Sequence, residues 1–138
     1  MIEEKTHYWG NLAQLPNEYA SVRNVIEDYL DGSFTATAAL LKRCFHLKAL
    51  MSGYFRGDLD IDSPQPFYDH LESEPSPKSS GEGYQAEISL INIAGRMASA
   101  GLVETNLLGS NYVHHFHLLK IDDEWRIVSK IYVDSPVD

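Results

Sequence analysis

Three histidines stand within four residues at His114-His115-Phe116-His117. Imidazole titrates near neutral pH, with an ordinary pKa of about 6.5, so such a group can divide acid and base work or ligate a metal. The surrounding segment Asn111–Asp134 alternates polar and apolar residues on both sides of Ile121-Asp122-Asp123-Glu124, which predicts an antiparallel hairpin with an acidic turn. On that strand His115 and His117 share a face, about 7 Å apart, and His114 points the other way. A metal on the pair needs a third ligand, for which His46 or Glu87 would have to be brought across by the fold. His-x-His is a weak metal motif and no metal is assigned. Packing on a sheet face or at a dimer interface is the plainer alternative.

Other residues add acid, base and hydroxyl chemistry. His46 falls where a helical pattern gives way to a strand, so it either meets a helix C-terminus or stands at a pocket mouth as a donor. Tyr54 beside His46 would polarise a carbonyl or hold an enolate oxygen, if the two converge. Tyr29 and Tyr68 can bury their rings and still present hydroxyls. Glu87 lies in the apolar run Gln85–Ala94; it faces solvent, or it faces a pocket with a raised pKa. Asp58, Asp60 and Asp62 have calcium-like spacing but lack the glycine and terminal glutamate of a calcium-binding loop, and read as an acidic surface loop. Arg56, Arg96 and Lys130 read as scattered charges with external partners; Arg56 and Lys130 would bind a carboxylate only if they point inward. Cys44, between leucines and Phe45, reads as a small buried hydrophobe.

These groups need elements to hold them. Val22, Val25, Ile26, Tyr29 and Leu30 recur at helical spacing after Ser21, and Asp31-Gly32 is the expected stop. A second helix is expected over Thr35–Cys44, a strand around Met51–Arg56, and a short helix at Phe67–Leu71 with Pro66 in its first turn. Glu74–Gly83 reads as a surface loop. Strands follow at Gln85–Ala94 and Met97–Thr105, then the terminal hairpin, with Trp125 anchoring its core. Helices on one face of an antiparallel sheet fit this order, and a dinucleotide-binding unit does not, because no Gly-x-Gly-x-x-Gly joins a strand to a helix. Residues 1–18 read as an N-terminal arm, 19–134 as one domain and 135–138 as a tail.

The chain has 138 residues, enough for one core without staples. Eleven Lys and Arg against 20 Asp and Glu give a net charge of −9, which argues against nucleic acid and anionic lipid as partners. A single cysteine excludes an intrachain disulfide. No run approaches a membrane span and no leader pattern opens the sequence, so a cytoplasmic location is expected.

The segments Val22–Gly32, His46, Ser52-Gly53-Tyr54, Pro66–Asp69, Ala86-Glu87-Ile88 and above all Asn111–Lys130 resemble the nuclear transport factor 2-like superfamily. The closing hairpin, Leu118–Asp122 followed by Glu124–Lys130, is similar to the polyketide-cyclase-like subgroup described as putative lumazine-binding; the resemblance covers about residues 19–133. It implies an α+β cone, a strongly bent antiparallel sheet wrapped around the N-terminal helices, with an internal pocket and a homodimer formed through the sheet. Relatives of this kind include isomerases, dehydratases, cyclases and pure binding proteins. Several carry an aspartate-containing run where this chain has histidines before Phe116, so His115 stands in as the general base here.

The leading expectation is a small-molecule enzyme, without cofactor, moving protons on an apolar carbonyl compound by isomerisation, dehydration or cyclisation. His46, Tyr54 and His115 are its catalytic set. Tyr29, Phe67, Tyr68, Glu87, Phe116 and His117 are its pocket residues. A non-catalytic small-molecule-binding or accessory protein is the alternative, and a protein-association module is the third.

Overall fold

The computed structural model describes residues 15–136. The first helix, α1, runs Leu15–Thr35, longer at both ends than its apolar spacing suggests. Val22, Ile26 and Tyr29 form its fully buried stripe, with Val25 and Leu30 flanking. Gly32 does not end it. A Cβ there would come within 2.7 Å of the Leu41 side chain, so the glycine lets the next helix pack close. The stop lies at Ala36, in the left-handed region at φ 55, where Thr37 N–H donates to Gly32 C=O and Ala36 N–H to Ser33 C=O. That leaves the second helix, α2, to Ala38–Cys44.

Strand β1, Phe45–Phe55, begins at once and turns through Arg56-Gly57, both at positive φ, into β2, Asp58–Asp62. The expected acidic loop is therefore an edge strand. Helix α3, Gln65–Ser73, follows with Pro66 in its first turn, and the expected surface loop contains a single helical turn, α4, Pro77–Ser80. Strands β3 (Gln85–Ala94), β4 (Met97–Leu107), β5 (Ser110–Ile121) and β6 (Glu124–Pro136) complete the chain. Asp122 and Asp123 both adopt positive φ in the last hairpin, the two-residue turn that matches strand twist. Of the expected arm, residues 1–14 lie outside the described residues and Leu15–Glu18 open α1. Of the expected tail, Ser135 and Pro136 pair in β6 and residues 137–138 lie outside.

The architecture is α+β, but the sheet differs from the expected strongly bent antiparallel cone. Its order is β2-β1-β6-β5-β4-β3, and β1 runs parallel to β6, so the sheet is mixed. Its two ends, β2 and β3, are not joined to each other; it is an open sheet with helices on one face, neither strongly curled nor closed. Period-two alternation reports which face a residue takes and is blind to which strand lies alongside, or in which direction. No described helix is long and apolar enough to cross a membrane.

Candidate functional site

The helix-covered face of the sheet carries the site. Across it, register aligns Asp60, Gly53, Tyr132, His114 and Leu102 in one row, and Met51, Lys130, Phe116 and Ala100 in the next. Tyr29 from α1 sits over both rows, 5.0 Å from the Phe116 ring and 5.7 Å from the His114 ring. Phe67 from α3 stacks on Tyr29 at 6.0 Å. Between these helices and strands lies a cavity of about 250 Å³ lined by Tyr29, Met51, Phe55, Asp60, Pro66, Phe67, His70, Leu107, Leu108, Tyr112, His114, Lys130 and Tyr132.

Two buried polar groups define its chemistry. His114 Nε2 pairs with Glu104 Oε1 at 2.6 Å, and the other Glu104 oxygen accepts from the Tyr84 hydroxyl. With a carboxylate on Nε2, that nitrogen carries the proton and Nδ1 is left as a lone-pair acceptor. His114 Nδ1 is buried with no hydrogen-bond partner. Burial first, and the nearby Lys130 charge second, depress the imidazole to a pKa of about 4, against the bond to Glu104. The ring is therefore neutral at physiological pH.

Lys130 is the second group. Its Nζ donates to the Tyr29 hydroxyl at 2.9 Å and lies 4.7 Å from the centre of the Phe67 ring, 5.0 Å from Tyr132 and 5.2 Å from Tyr29. Burial pulls the ammonium down to about 7, although the Glu104 and Asp60 carboxylates act the other way. Tyr29 is pushed well above the ordinary phenol range, by burial and by the Glu104 charge, and stays protonated. Asp60 reaches back from edge strand β2 to accept from the Tyr132 hydroxyl at 2.8 Å. The cavity thus brings together the Lys130 amine, the Tyr29 phenol and the His114 ring, with the Asp60 carboxylate and His70 among aromatic and aliphatic side chains.

The residues expected from sequence divide between two faces. Tyr29 and Phe67 line the cavity, and Phe116 is buried beneath Tyr29. Tyr68 is buried against Phe45 and Lys42, off the lining. Tyr54 and His115 line one groove on the opposite face of the sheet, an apolar one of about 360 Å³ shared with Leu59, Val113, Ile131 and Val133. His117 and Glu87 are exposed on that outer face, Glu87 opposite Val103 on edge strand β3. His46 stands apart from both, half-buried, its Nδ1 accepting from Lys48 N–H at 3.0 Å. The structure thus places Tyr54 and His115 along one groove and stacks Tyr29 on Phe67, but it does not bring His46 to Tyr54. Among the described residues no three of His, Cys, Asp and Glu are placed to hold a metal ion. Cys44 is buried, its thiol pushed up to about 12 by desolvation, and donates weakly to backbone carbonyls of Val25 and Leu40.

His70, Tyr112, His114, Lys130 and Tyr132 are polar residues of the cavity lining that sequence reasoning did not choose, and neither did it choose Glu104 and Tyr84, which stand behind His114. For His114 the signal was present: Phe116 was placed in the pocket wall, and period two then turns His114 inward and His115 outward. Lys130 carried no such signal. Trp125 and Ile127 are buried, and strict alternation from them would send Lys130 out. The pairing shifts between His117–Ser129 and Leu118–Ile127, so Val128 is an extra residue and the parity of β6 reverses after it.

Comparison with known proteins agrees with this architecture. A family model described as "Putative lumazine-binding" matches residues 17–133. The chain is similar to aldolase FrzH of a Cladobotryum species, 28% identical over 87% of this chain and 94% of that protein. Among solved structures it is similar to an NTF2-like protein of unknown function from Shewanella baltica, 28% identical with TM-score 0.78, covering 88% of this chain and 96% of that one. An NTF-2-like protein of unknown function from Silicibacter pomeroyi shares the fold, with TM-score 0.79 at 22% identity over 88% of this chain and 99% of that one. A match across most of the chain, on a fold shared nearly end to end, establishes that this protein belongs to the putative lumazine-binding family of the nuclear transport factor 2-like superfamily.

Proposed function

We propose that this protein binds a small, mainly apolar molecule in the helix-covered cavity and holds its carbonyl oxygen against Lys130 and the Tyr29 hydroxyl. The observation that carries the reading is the Lys130 amine, buried among three aromatic rings with Tyr29 as its hydrogen-bond partner. A charged or hydrogen-bonding group on an apolar wall fixes orientation, while the wall supplies most of the affinity. At about 250 Å³ the cavity lies just under the roughly 300 Å³ at which drug-sized sites begin, so one or two rings is the size it suits.

Turnover is a second reading, favoured by His114, which lines the same cavity and has no hydrogen-bond partner on Nδ1. A carbonyl polarised by Lys130 and Tyr29 has acidified α protons, and a neutral imidazole nitrogen can accept one. Isomerisation, dehydration and carbon–carbon bond formation next to a carbonyl share that step. The similar Cladobotryum protein is named an aldolase, which is chemistry of this kind. His114 replaces His115 as base in this reading, because His115 lies across the sheet. We further propose that the outer face pairs two copies of the chain.

Binding is tested by ligand-observed NMR with acetophenone and its hydrocarbon counterpart ethylbenzene, which differ at the carbonyl. Acetophenone is expected to bind about tenfold more tightly, the worth of one good hydrogen bond to a charged or polarised donor. Lys130→Met is expected to erase the difference. Equal affinities, or no binding of either compound, would overturn the assignment.

A further inference from the structure

We propose that Lys130 is a nucleophile toward carbonyl compounds, forming an imine with an aldehyde or ketone held in the cavity. The inference rests on the small-molecule reading above and deepens it, by replacing a hydrogen bond to the carbonyl with a covalent bond.

The geometry is unusual for a structural lysine. Lys130 is 2% exposed, and among the described residues no carboxylate lies within ion-pair distance of its Nζ. A buried ammonium that serves only stability is expected to be paired, since an unpaired one is costly. Ring faces supply part of the missing solvation, and Tyr29 accepts from a single N–H. The group therefore loses its proton readily: at a pKa of about 7 a large share is neutral amine at physiological pH. A neutral amine has a lone pair, and this lysine lines a cavity of mainly aromatic and aliphatic side chains.

The step balances with groups already present. The nitrogen lone pair bonds to the carbonyl carbon, and the C=O π pair moves to oxygen. One N–H proton leaves to the Tyr29 hydroxyl, which passes its own proton to that oxygen, giving the carbinolamine. The C–O bond then breaks, the hydroxyl departs with the second nitrogen proton as water, and the nitrogen pair closes C=N. Amine and carbonyl become imine and water, with nothing oxidised or reduced. Tyr29, held at 2.9 Å and kept protonated by burial, is the relay.

The probe is acetylacetone, whose condensation with an amine gives a stable enaminone with its own ultraviolet absorbance. The full chain is incubated with it from pH 5 to 9 and followed by absorbance, intact mass and peptide mapping. One adduct is expected, heavier by the diketone less one water, mapped to Lys130, with a rate rising through a midpoint near 7. Lys130→Met, which removes a buried charge and keeps the side-chain volume, is expected to fold, by near-ultraviolet circular dichroism, and to form no adduct there. Labelling confined to the exposed Lys42, Lys48 or Lys78 would overturn the proposal. So would an unlabelled wild type. If that wild type still binds acetophenone, the imine alone fails and the binding pocket stands; if it binds neither compound, both readings fail.

Discussion

At the level of single residues the site is governed by what burial does to two bases. His114 and Lys130 lie within one aromatic box, and each is held below its ordinary pKa mainly by loss of solvent. The groups facing His114 are Glu104 at Nε2, Lys130, and the rings of Tyr29, Tyr112, Phe116 and Tyr132. Its folded pKa of about 4 lies below the 6.5 of the unfolded chain, so between those values the unfolded state binds more protons. Stability from this group is therefore constant above about pH 6.5 and falls as pH drops toward 4. His114→Gln keeps a donor for Glu104 and cannot titrate. Urea unfolding at steps from pH 7 to 4 is expected to show a shallower acid loss in the variant than in the wild type, since the carboxylates common to both cancel in the difference. Identical slopes would mean that the imidazole is not held neutral. That same ring shows how far the sequence could be read. The histidine cluster was legible as chemistry, and Phe116 marked the inward parity, but an exposed His115 and a buried His114 look alike until that parity is imposed.

At the level of elements, two irregularities set the cavity. The first is the extra residue in β6, which turns Lys130 and Tyr132 inward after Trp125 and Ile127 have already faced the core. A bulge leaves no mark in composition or hydrophobic pattern, so the lysine that dominates the site was illegible, as was the parallel alignment of β1 with β6. The helix order, the hairpin with its two-aspartate turn and the burial of Trp125 were legible, because local spacing and turn chemistry determine them. The second irregularity is Gly53, opposite Tyr132. A Cβ on Gly53 would come within 2.2 Å of the Tyr132 carbonyl oxygen and 2.7 Å of its ring. Neither backbone nor ring can yield that much without shifting β1 from β6. Gly53→Ala is expected to cost about 1–3 kcal/mol by denaturant unfolding, as overpacking of a filled site does. It should also weaken acetophenone binding by displacing Tyr132 from the cavity wall. An alanine variant as stable as the wild type, with binding intact, would show that the two strands are not locked at this point.

For the whole molecule the question is what covers the outer face. Tyr54, Val113, Ile131 and Val133 are each about half exposed there, with the exposed Leu59 in the same groove, an apolar patch of the kind that marks interaction surfaces. The chain carries a net charge of −9, so two copies repel at long range, and the pairing proposed above relies on this apolar patch. Repulsion between exposed charges is screened over about 10 Å at 0.1 M salt, whereas burial of apolar area is not weakened by salt. A homodimer through the outer face should therefore tighten as salt rises, opposite to an association held by ion pairs. Light scattering after size exclusion is expected to give a dimer at 0.3 M sodium chloride, dissociating more readily at 0.02 M. Ile131→Glu puts a carboxylate into the patch and is expected to give a monomer at both concentrations. Its neighbour Lys130 points to the other side of the sheet, so the variant should bind acetophenone like the wild type if each copy holds a complete cavity. A wild type that stays monomeric at 0.3 M salt would leave this face to a different partner. An Ile131→Glu variant that still dimerises would move the interface elsewhere. Loss of binding on forced dissociation would mean that pairing across one face shapes the cavity on the other.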